Sequence, residues 1–230
     1  RKCFVAGGEE ADAFIVSALA GEGTALYLVE RGREGVGFSS RPRVDGGFWG
    51  ELVLDQVVVP VSNEIAGGTH GLAVLERAID EARLAVGAEL VGLMSKALEI
   101  SIEYISVRQQ FGRPVGSFQA LQHRAVDLDV LVEVARSVLI RATGVFDETE
   151  DAAARAAVAS QLKARCSDAA LEVAKGCIHL HGGMGYTDEC DIGLFLKRAM
   201  VLSEWLGDAS FHRRRFGARR LQEGSSVAGS

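Results

Sequence analysis

The chain has 230 residues, 48% of them hydrophobic, and a formal net charge of −6 at pH 7. This composition supports a sizeable apolar core and excludes a globally disordered chain, and the net acidity argues against a general nucleic-acid-binding protein. No apolar run reaches the roughly 20 residues that a membrane-spanning helix needs. Nothing resembles a signal peptide, so we expect a cytoplasmic protein.

Residues 1–64 have the pattern of β-structure. Apolar, β-branched stretches separated by glycines predict strands, and Gly21-Glu22-Gly23 is typical of a hairpin link. The predicted strand segments are Lys2–Ala6, Ala13–Ala18, Thr24–Val29, one that begins at Gly35, and Gly50–Val59. These strands are few for an independent domain, and the chain begins inside the first of them, so we expect a partial antiparallel β-domain.

From Gly67 onward the hydrophobic period is helical. We predict five helices, which run from His70 to about Gln110, from Ser117 to about Val145, from about Asp151 to Leu180, over Asp191–Glu204, and from Asp208, whose carboxylate suits an N-cap. Long antiparallel helices with short links form an up-and-down bundle. The predicted fold is therefore α+β and mainly α, with a β-domain over residues 1–64 and a helical bundle over residues 65–230.

Arg108 stands in the segment Arg108-Gln109-Gln110-Phe111-Gly112, where the first long helix is predicted to end. An arginine at a helix C-terminus complements the helix dipole without any ligand. Alternatively, its guanidinium binds a phosphate while Phe111 flanks a ring, with Gln119 just after the turn. The residues alone leave both interpretations open.

Asp80 and Arg83 lie three residues apart and therefore share one face of the first helix. The spacing favours an exposed ion pair, which contributes only a few tenths of a kcal/mol. The alternative is that the two side chains line a cleft.

The segment His179–Gly183 combines two histidines with a glycine pair. Gly182 and Gly183 are expected to end the third helix and to let a flat ligand approach the backbone closely. The side chains of His179 and His181 diverge by about 200° on a helix, so we expect no metal site there. The cysteines also lack metal-site spacing, and we expect them to be reduced core residues; they are Cys3, Cys166, Cys177 and Cys190.

A basic run occupies the last predicted helix, with His212-Arg213-Arg214-Arg215 followed by Arg219-Arg220. We expect these residues to complement the dipole at the far end of that helix. A role in reading nucleic acid is disfavoured because the chain as a whole is acidic.

Several of these segments together resemble the acyl-CoA dehydrogenase family. Val107–Leu128 (VRQQFGRPVGSFQALQHRAVDL) resembles the family's R-x-x-F-G segment with its following glutamine, and His179–Ala199 resembles its Gly-Gly-x-Gly segment and last core helices. Asp80–Arg83 is similar to the D-x-x-R of its first C-terminal helix. Lys2–Ala6 and Val53–Pro60 resemble strands of its middle domain, so the resemblance covers nearly the whole chain, in order.

The resemblance implies a middle β-domain, truncated at its start, followed by the C-terminal helical domain. It also implies bound FAD and a dimer or tetramer, as a homo- or hetero-oligomer, because the flavin of this family lies across a subunit interface. The residues that match cofactor-binding positions are Phe4, Val5, Ala6, Arg108, Phe111, Gln119, His179, Gly182, Gly183, Asp208 and Ser210. Those from Arg108 to Gly183 match contacts to the diphosphate and adenosine half of a neighbour's FAD. Asp80 and Arg83 match positions near the acyl-CoA.

In this family a carboxylate removes the α-proton of an acyl thioester while hydride leaves the β-carbon for the flavin. The usual base is a glutamate immediately before a glycine, and the matching residue here is Leu206, in Trp205-Leu206-Gly207-Asp208. Other members place the base immediately before the arginine of the first C-terminal helix, where this chain has Ala82. Neither side chain accepts a proton. Glu81 and Glu204 are the weak candidates, since each is one or two positions away.

Three interpretations of a chain without either usual base stay open. In the first, the chain is one subunit of a heteromeric enzyme, a form found in the family for sterol side chains in actinobacteria, and a partner supplies the base. In the second, Glu81, Glu204 or Asp208 is an unorthodox base in a homo-oligomer. In the third, the chain is a catalytically inactive flavin-binding or assembly subunit. The resemblance implies that electrons pass to an electron-transfer flavoprotein, in lipid metabolism.

Overall fold

The computed structural model of the chain describes residues 1–68 and 70–227, and side chains as far as residue 218. The Cα positions divide into two units, Arg1–Ile79 and a second that begins at Asp80. Our domain boundary between residues 64 and 65 follows the change of hydrophobic period and stays a prediction. Within the described residues, none of the helices combines the length and the apolar character that crossing a bilayer requires.

The first unit contains two antiparallel sheets of three strands each. The strands are β1 (Lys2–Val5), β2 (Ala13–Ala20), β3 (Gly23–Glu30), β4 (Val36–Pro42), β5 (Phe48–Leu54) and β6 (Glu64–Ala66). Their orders are β1-β5-β4 and β2-β3-β6. Strands β2 and β3 form a hairpin in which Ala20 pairs with Gly23, as the glycine-rich link predicted.

The two sheets share a small apolar core. Phe14 of β2 stacks on Phe38 of β4 with ring centroids 5.6 Å apart, and Val29 and Leu52 are buried beside them. Strand β5 ends at Leu54 rather than at Val59, so the predicted length was wrong. The physical reason is a turn at Gln56, which takes a φ of +50° and diverts the chain from the extended conformation.

The five predicted helices are confirmed. They are α1 (Gly71–Val107), α2 (Gln119–Glu148), α3 (Ala152–His181), α4 (Ile192–Glu204) and α5 (Ala209–Val227). Asp208 caps α5 as predicted, because its carboxylate accepts a hydrogen bond from the Phe211 amide at 2.5 Å. Helix α1 ends earlier than predicted, since strands β7 (Gln109–Gln110) and β8 (Arg113–Pro114) form a short hairpin directly after it.

Helix α3 is the centre of the bundle. It packs against α2, α4 and α5, and most of its residues are buried. Two glycines let neighbouring helices come close: a Cβ on Gly176 would lie 2.6 Å from Leu128 Cδ2, and one on Gly87 would lie 2.5 Å from Leu162 Cδ2. This arrangement confirms the predicted α+β, mainly helical fold with an up-and-down bundle.

Two of the cysteines are core residues and one is not. Cys166 and Cys177 are buried on α3, as expected, and Cys190 is half-buried. Cys3 is exposed, so the expectation of a core residue was wrong there, because the side chain of Cys3 on β1 faces outward.

Candidate functional site

A buried ionic network joins α1, α3 and α5. Asp80 and Arg83 are only 5% and 8% exposed, and Arg83 Nη1 donates to Asp80 Oδ1 at 2.8 Å. Arg215 donates to both carboxylate oxygens of Asp80, at 2.7 and 2.8 Å, and to Ser160 Oγ at 2.9 Å. The exposed ion pair that we expected for Asp80 and Arg83 was therefore wrong, because a third helix covers the pair with a second arginine.

The turn between α4 and α5 points its carbonyl oxygens inward. Arg83 Nε donates to the Leu206 carbonyl oxygen at 3.1 Å, and His212 Nε2 donates to the same oxygen at 3.1 Å. Leu206 has a φ of +62° and Gly207 a φ of +106°. A left-handed backbone is strained for leucine, so the surrounding bonds hold the turn in a conformation that leucine itself disfavours.

Lys163 on α3 fixes the two ends of this turn. Its Nζ donates to the carbonyl oxygens of Ser203 and Gly207, both at 2.9 Å, and to Ser167 Oγ at 3.1 Å. The side chain is fully buried. Burial lowers the pKa of Lys163 to about 8. The ammonium group thus donates all three of its hydrogen bonds to acceptors inside the protein.

Burial and neighbouring groups also shift the pKa values of His212 and Asp80. Burial, with the Arg83 charge nearby, lowers the pKa of His212 to about 4, so its ring is neutral at pH 7. His212 Nδ1 has no hydrogen-bond partner within the described residues. Burial alone would raise the pKa of Asp80, but hydrogen bonds from Arg215 and Arg83 outweigh it and hold that pKa below its usual value.

The side chains around the turn offer few proton acceptors. Leu206 is half-buried and packs against the bundle core, and Ala82 is half-buried on α1. Glu81 and Glu204 are exposed, and the Asp208 carboxylate caps α5. Asp80 reaches the turn through Arg83, but a carboxylate with a lowered pKa is a poor base.

The hairpin that follows α1 exposes an aromatic ring. Gln109 pairs with Pro114 and Gln110 pairs with Arg113, which leaves Phe111 and Gly112 as a two-residue loop. Both loop residues have positive φ, +54° and +79°, a combination that type I′ turns require. Phe111 is nevertheless not a residue that such turns favour, and its side chain is 90% exposed. A strained, exposed aromatic residue points to a functional role.

Arg108 and Gln119 flank this hairpin. Both side chains are exposed, and within the described residues neither makes a hydrogen bond or an ion pair through its side chain. The Arg108 carbonyl accepts a hydrogen bond from the Val115 amide at 2.8 Å, which ties the start of the hairpin to its end. The region of the hairpin thus exposes a cation, an amide and a phenyl ring.

The C-terminus of α3 lies at the same end of the bundle. His181 is buried and stacks on Tyr104 of α1 with centroids 4.4 Å apart, whereas His179 is exposed and contacts Arg124. The two histidines point apart, as predicted. Gly182 ends α3 with a φ of +60°, also as predicted, and a Cβ on Gly182 or Gly183 would meet nothing within 4 Å. The space beside the glycine pair is therefore open.

The site residues of the bundle form two separate sets. Asp80, Arg83, Leu206 and the exposed Asp208 and Ser210 gather around Lys163 or the turn that it holds. The set from Arg108 to Gly183 gathers at the far end of α3. Lys163 and His179 lie sixteen residues apart on α3, which corresponds to about 24 Å along the helix axis. One copy of the bundle does not bring the two sets together.

A third set of residues matched to cofactor-binding positions, Phe4, Val5 and Ala6, lies at strand β1 in the first unit. Phe4 is 72% exposed with a φ of +58°, and its ring meets Trp49 edge-on at 6.1 Å. Val5 lines a cleft of about 260 Å³ with Arg43 and neighbouring glycines, and Ala6 is exposed. These residues lie within the first unit and are described for that unit alone.

The sequence reasoning missed three residues of the buried network: Lys163, His212 and Arg215. The burial of Lys163 could have been predicted, because it lies on the face of α3 whose small residues pack into the core. Arg215 was assigned to the far end of the last helix, which was wrong, because it lies in the second turn of α5 and binds Asp80. The side chains of Arg219 and Arg220 lie outside those that the structure describes.

The helical part of the chain matches a known protein family, and known proteins match most of the chain. A family model described as "Acyl-CoA dehydrogenase, C-terminal domain" matches residues 69–221. The acyl-CoA dehydrogenase IpdE2 of Mycolicibacterium smegmatis is 37% identical over 161 residues, which cover 70% of this chain and 47% of that protein. The chain spans about half the length of the curated relatives it matches.

Two solved structures share the fold over nearly the whole chain. The ChsE4-ChsE5 complex from Mycobacterium tuberculosis has a TM-score of 0.87 and 28% identity, covering 96% of this chain and 58% of that one. The structure of PigA with FAD and proline has a TM-score of 0.88 and 26% identity, covering 95% of this chain and 58% of that one.

Proposed function

Because the chain belongs to the acyl-CoA dehydrogenase family, we propose that it serves the FAD-dependent α,β-dehydrogenation of an acyl-CoA thioester as one subunit of a heteromeric enzyme. The observation that carries this proposal is Leu206. An apolar residue in a strained turn occupies the position at which the resemblance places the catalytic base. A partner chain then supplies the carboxylate, and the electrons pass to an electron-transfer flavoprotein.

The exposed residues beside the hairpin fit one half of an FAD molecule. Arg108 offers a guanidinium without an internal partner among the described residues, which suits a diphosphate. Phe111 offers an exposed ring, and the open space at Gly182 and Gly183 admits a flat group against the backbone. FAD, when bound, supplies the acceptor for a hydride.

Residues at the other end of the bundle shape the acyl-CoA side of the site. Arg83 and Lys163 hold the α4–α5 turn through its carbonyl oxygens, so the Leu206 side chain keeps a fixed position. Asp80 is held ionised by two arginines and does not move a proton. The role of this chain at that end is therefore to form an apolar wall that excludes water, with no proton acceptor of its own.

The relatives support both parts of the proposal. One structural relative was solved as a complex of two named chains, and another was solved with FAD. The separation of the two residue sets along α3 also supports an assembly, because a complete flavin site would need the hairpin end of one chain and the turn of another.

The first test is the visible absorption spectrum of the purified protein. We expect little or no flavin in the chain purified alone, and an oxidised-flavin spectrum when it is co-expressed with a family member that carries the missing glutamate. Stoichiometric flavin in the isolated chain, together with turnover of an acyl-CoA, would contradict the heteromeric proposal and support a homo-oligomer.

The second test concerns the weak candidate bases. In the heteromer we expect Glu81→Gln and Glu204→Gln to leave turnover unchanged, because the base belongs to the partner. A true general base contributes about 10²- to 10⁴-fold to the rate, so its loss is easily measured. Such a loss in either variant would identify an unorthodox base in this chain.

A catalytically inactive assembly subunit is the second candidate function. It is favoured by the inert side chains at both usual base positions, Leu206 and Ala82. Its signature is a flavin-bound complex in which the partner's turnover survives when Arg108 is replaced by glutamine.

A further inference from the structure

A polar groove lies between α2 and α3, close to the start of α2. It has a volume of about 580 Å³. Its floor is apolar, because two of its lining residues are buried: Leu128, which is 5% exposed, and Gly176. None of the residues matched to FAD or acyl-CoA lines this groove, so neither ligand accounts for it.

Four ionisable side chains line the groove without pairing with each other. His123 and Asp127 belong to α2, Glu172 and Lys175 belong to α3, and all four residues are exposed. Among the residues that the structure describes, none of the four has a hydrogen-bond or ion-pair partner for its side chain. A ligand can therefore bind these groups without first breaking a bond inside the protein.

Arg124 is the fifth ionisable residue of the groove, and one contact fixes its direction. Arg124 Nη1 contacts His179 Nδ1, at the end of α3 that lies beside the β7–β8 hairpin. The guanidinium group has five N–H donors, and this contact uses one of them. The other donors suit an anion at the hairpin end of the groove, either a carboxylate or a phosphate.

The charges follow the same order on both walls of the groove. On α2, Arg124 lies three residues nearer to the hairpin end than Asp127. On α3, which runs in the opposite direction, Lys175 lies three residues nearer to that end than Glu172. Three residues span about 4.5 Å along a helix axis. Each wall thus has a positive charge toward the hairpin and a negative charge one short step beyond it.

We propose that this groove binds a small zwitterion, an aminoalkyl carboxylate or an aminoalkyl phosphate, with its anion toward the hairpin end. The anion accepts hydrogen bonds from Arg124 and Lys175, and the ammonium group donates to Asp127 and Glu172. The methylene groups between the two charges lie on the Leu128 side chain. A simple anion would leave both carboxylates unpaired and a simple cation would leave both basic groups unpaired, so only a zwitterion satisfies the whole groove.

Calorimetric titration of the purified protein tests the proposal. The zwitterionic probes are γ-aminobutyrate, which carries a carboxylate, and O-phosphoethanolamine, which carries a phosphate. The matched compounds with a single charge are butyrate and butylamine. We expect at least one zwitterion to bind about tenfold more tightly than either single-charge compound, and the tighter zwitterion identifies the anionic group. Equal affinity for all the compounds, or no binding of either zwitterion, would overturn the proposal.

Two variants locate the site on the protein. Arg124→Gln removes a positive charge from the hairpin end of the groove, and Asp127→Asn removes a negative charge from the other end. We expect each to weaken binding of the zwitterion by about tenfold, because each loses a charge-assisted hydrogen bond. The control is Arg141→Gln, an exposed arginine of α2 that contacts Gln161 outside the groove and should bind the zwitterion as the wild type does.

Circular dichroism of all variants checks that the helices are intact. Wild-type affinity in either groove variant would also overturn the proposal, since the zwitterion would then bind elsewhere. The titration uses neither flavin nor turnover, so its outcome is separate from that of the proposed function.

Discussion

Asp80 is a carboxylate that binds two largely buried arginines at once. Its carboxylate accepts hydrogen bonds from Arg83 and from both terminal nitrogens of Arg215, and all three side chains are largely shielded from water. Removing one member of such a network is more harmful than removing an exposed pair, because it leaves charge buried without a partner. The contact from Arg83 to the Leu206 carbonyl extends the effect to the α4–α5 turn.

We expect Asp80→Asn to lower the free energy of unfolding by about 3 to 5 kcal/mol, because both arginines then lose the negative charge of Asp80 in a buried environment. Urea denaturation followed by circular dichroism measures this loss. The matched control is Asp168→Asn, which breaks the exposed contact with Arg213 and should cost less than about 1 kcal/mol. Equal losses in the two variants would show that the buried network contributes no more than a surface pair.

His212 gives the stability a defined pH dependence. Its folded pKa of about 4 lies below the usual 6.5, so the folded state favours the neutral ring. The stability that follows from this preference is complete above pH 6.5 and is lost as the pH falls from 6.5 toward 4. In His212→Gln we expect the urea concentration at the unfolding midpoint to change less between pH 7 and pH 5 than in the wild type. If the midpoint of the variant depends on pH as strongly as that of the wild type, a neutral, buried His212 is contradicted.

The contribution of Asp80 to stability can be separated from that of His212. The pKa of Asp80 is lowered from 3.8, so its contribution is lost only at lower pH.

At the scale of the element, the sequence predicts helices better than the contacts between them. The five helices follow from long runs of 3.6-residue periodicity, which local physics enforces. The β7–β8 hairpin was missed because Val107–Phe111 continues the helical pattern. The positive φ of Phe111 cannot be recognised from the hydrophobic period of the sequence. The buried roles of Lys163 and Arg215 were missed for another reason: a charged residue is ordinarily exposed, and only the packing of three helices reverses that rule.

Because Phe111 is strained, we expect its replacement to affect stability and flavin binding in opposite directions. Phe111→Gly removes the left-handed penalty of roughly 1 to 2 kcal/mol, part of which the greater freedom of glycine in the unfolded chain offsets. We expect the free energy of unfolding to stay equal or rise, while flavin retention in the assembled enzyme falls. The comparison is Gly112→Ala, which adds strain at a φ of +79° and should destabilise the protein. A clear loss of stability in Phe111→Gly would mean that the ring is needed for folding.

At the scale of the whole molecule, the distance between the two residue sets bears on the proposed function. The hairpin end and the turn end of the bundle are separated by about 24 Å along α3. In the proposed heteromer, the hairpin end completes the flavin site of a neighbouring chain that carries a base. The turn end of this chain, with Leu206, completes a site that lacks one.

Arg108→Gln in this chain is therefore expected to remove flavin and turnover from the complex, although the partner's base is untouched. Flavin content by absorbance and acyl-CoA turnover measure the two effects. The control is Arg141→Gln on α2, an exposed arginine that contacts Gln161 outside both sets and should leave both quantities unchanged. Full flavin and full turnover in the Arg108 variant would contradict a shared flavin site.

The inward-facing carbonyls of the α4–α5 turn also determine how this part of the molecule opens. Connections between helices usually exchange their amide hydrogens early, through small local openings. Here an opening must break bonds to Lys163, Arg83 and His212 that are buried in the bundle. The Gly207 amide, which donates to the Glu204 carbonyl at 3.2 Å, should accordingly exchange with deuterium at the slow rate of the core helices. This turn would then be as persistent as the core helices, and any ligand that enters beside it would depend on motion elsewhere in the protein.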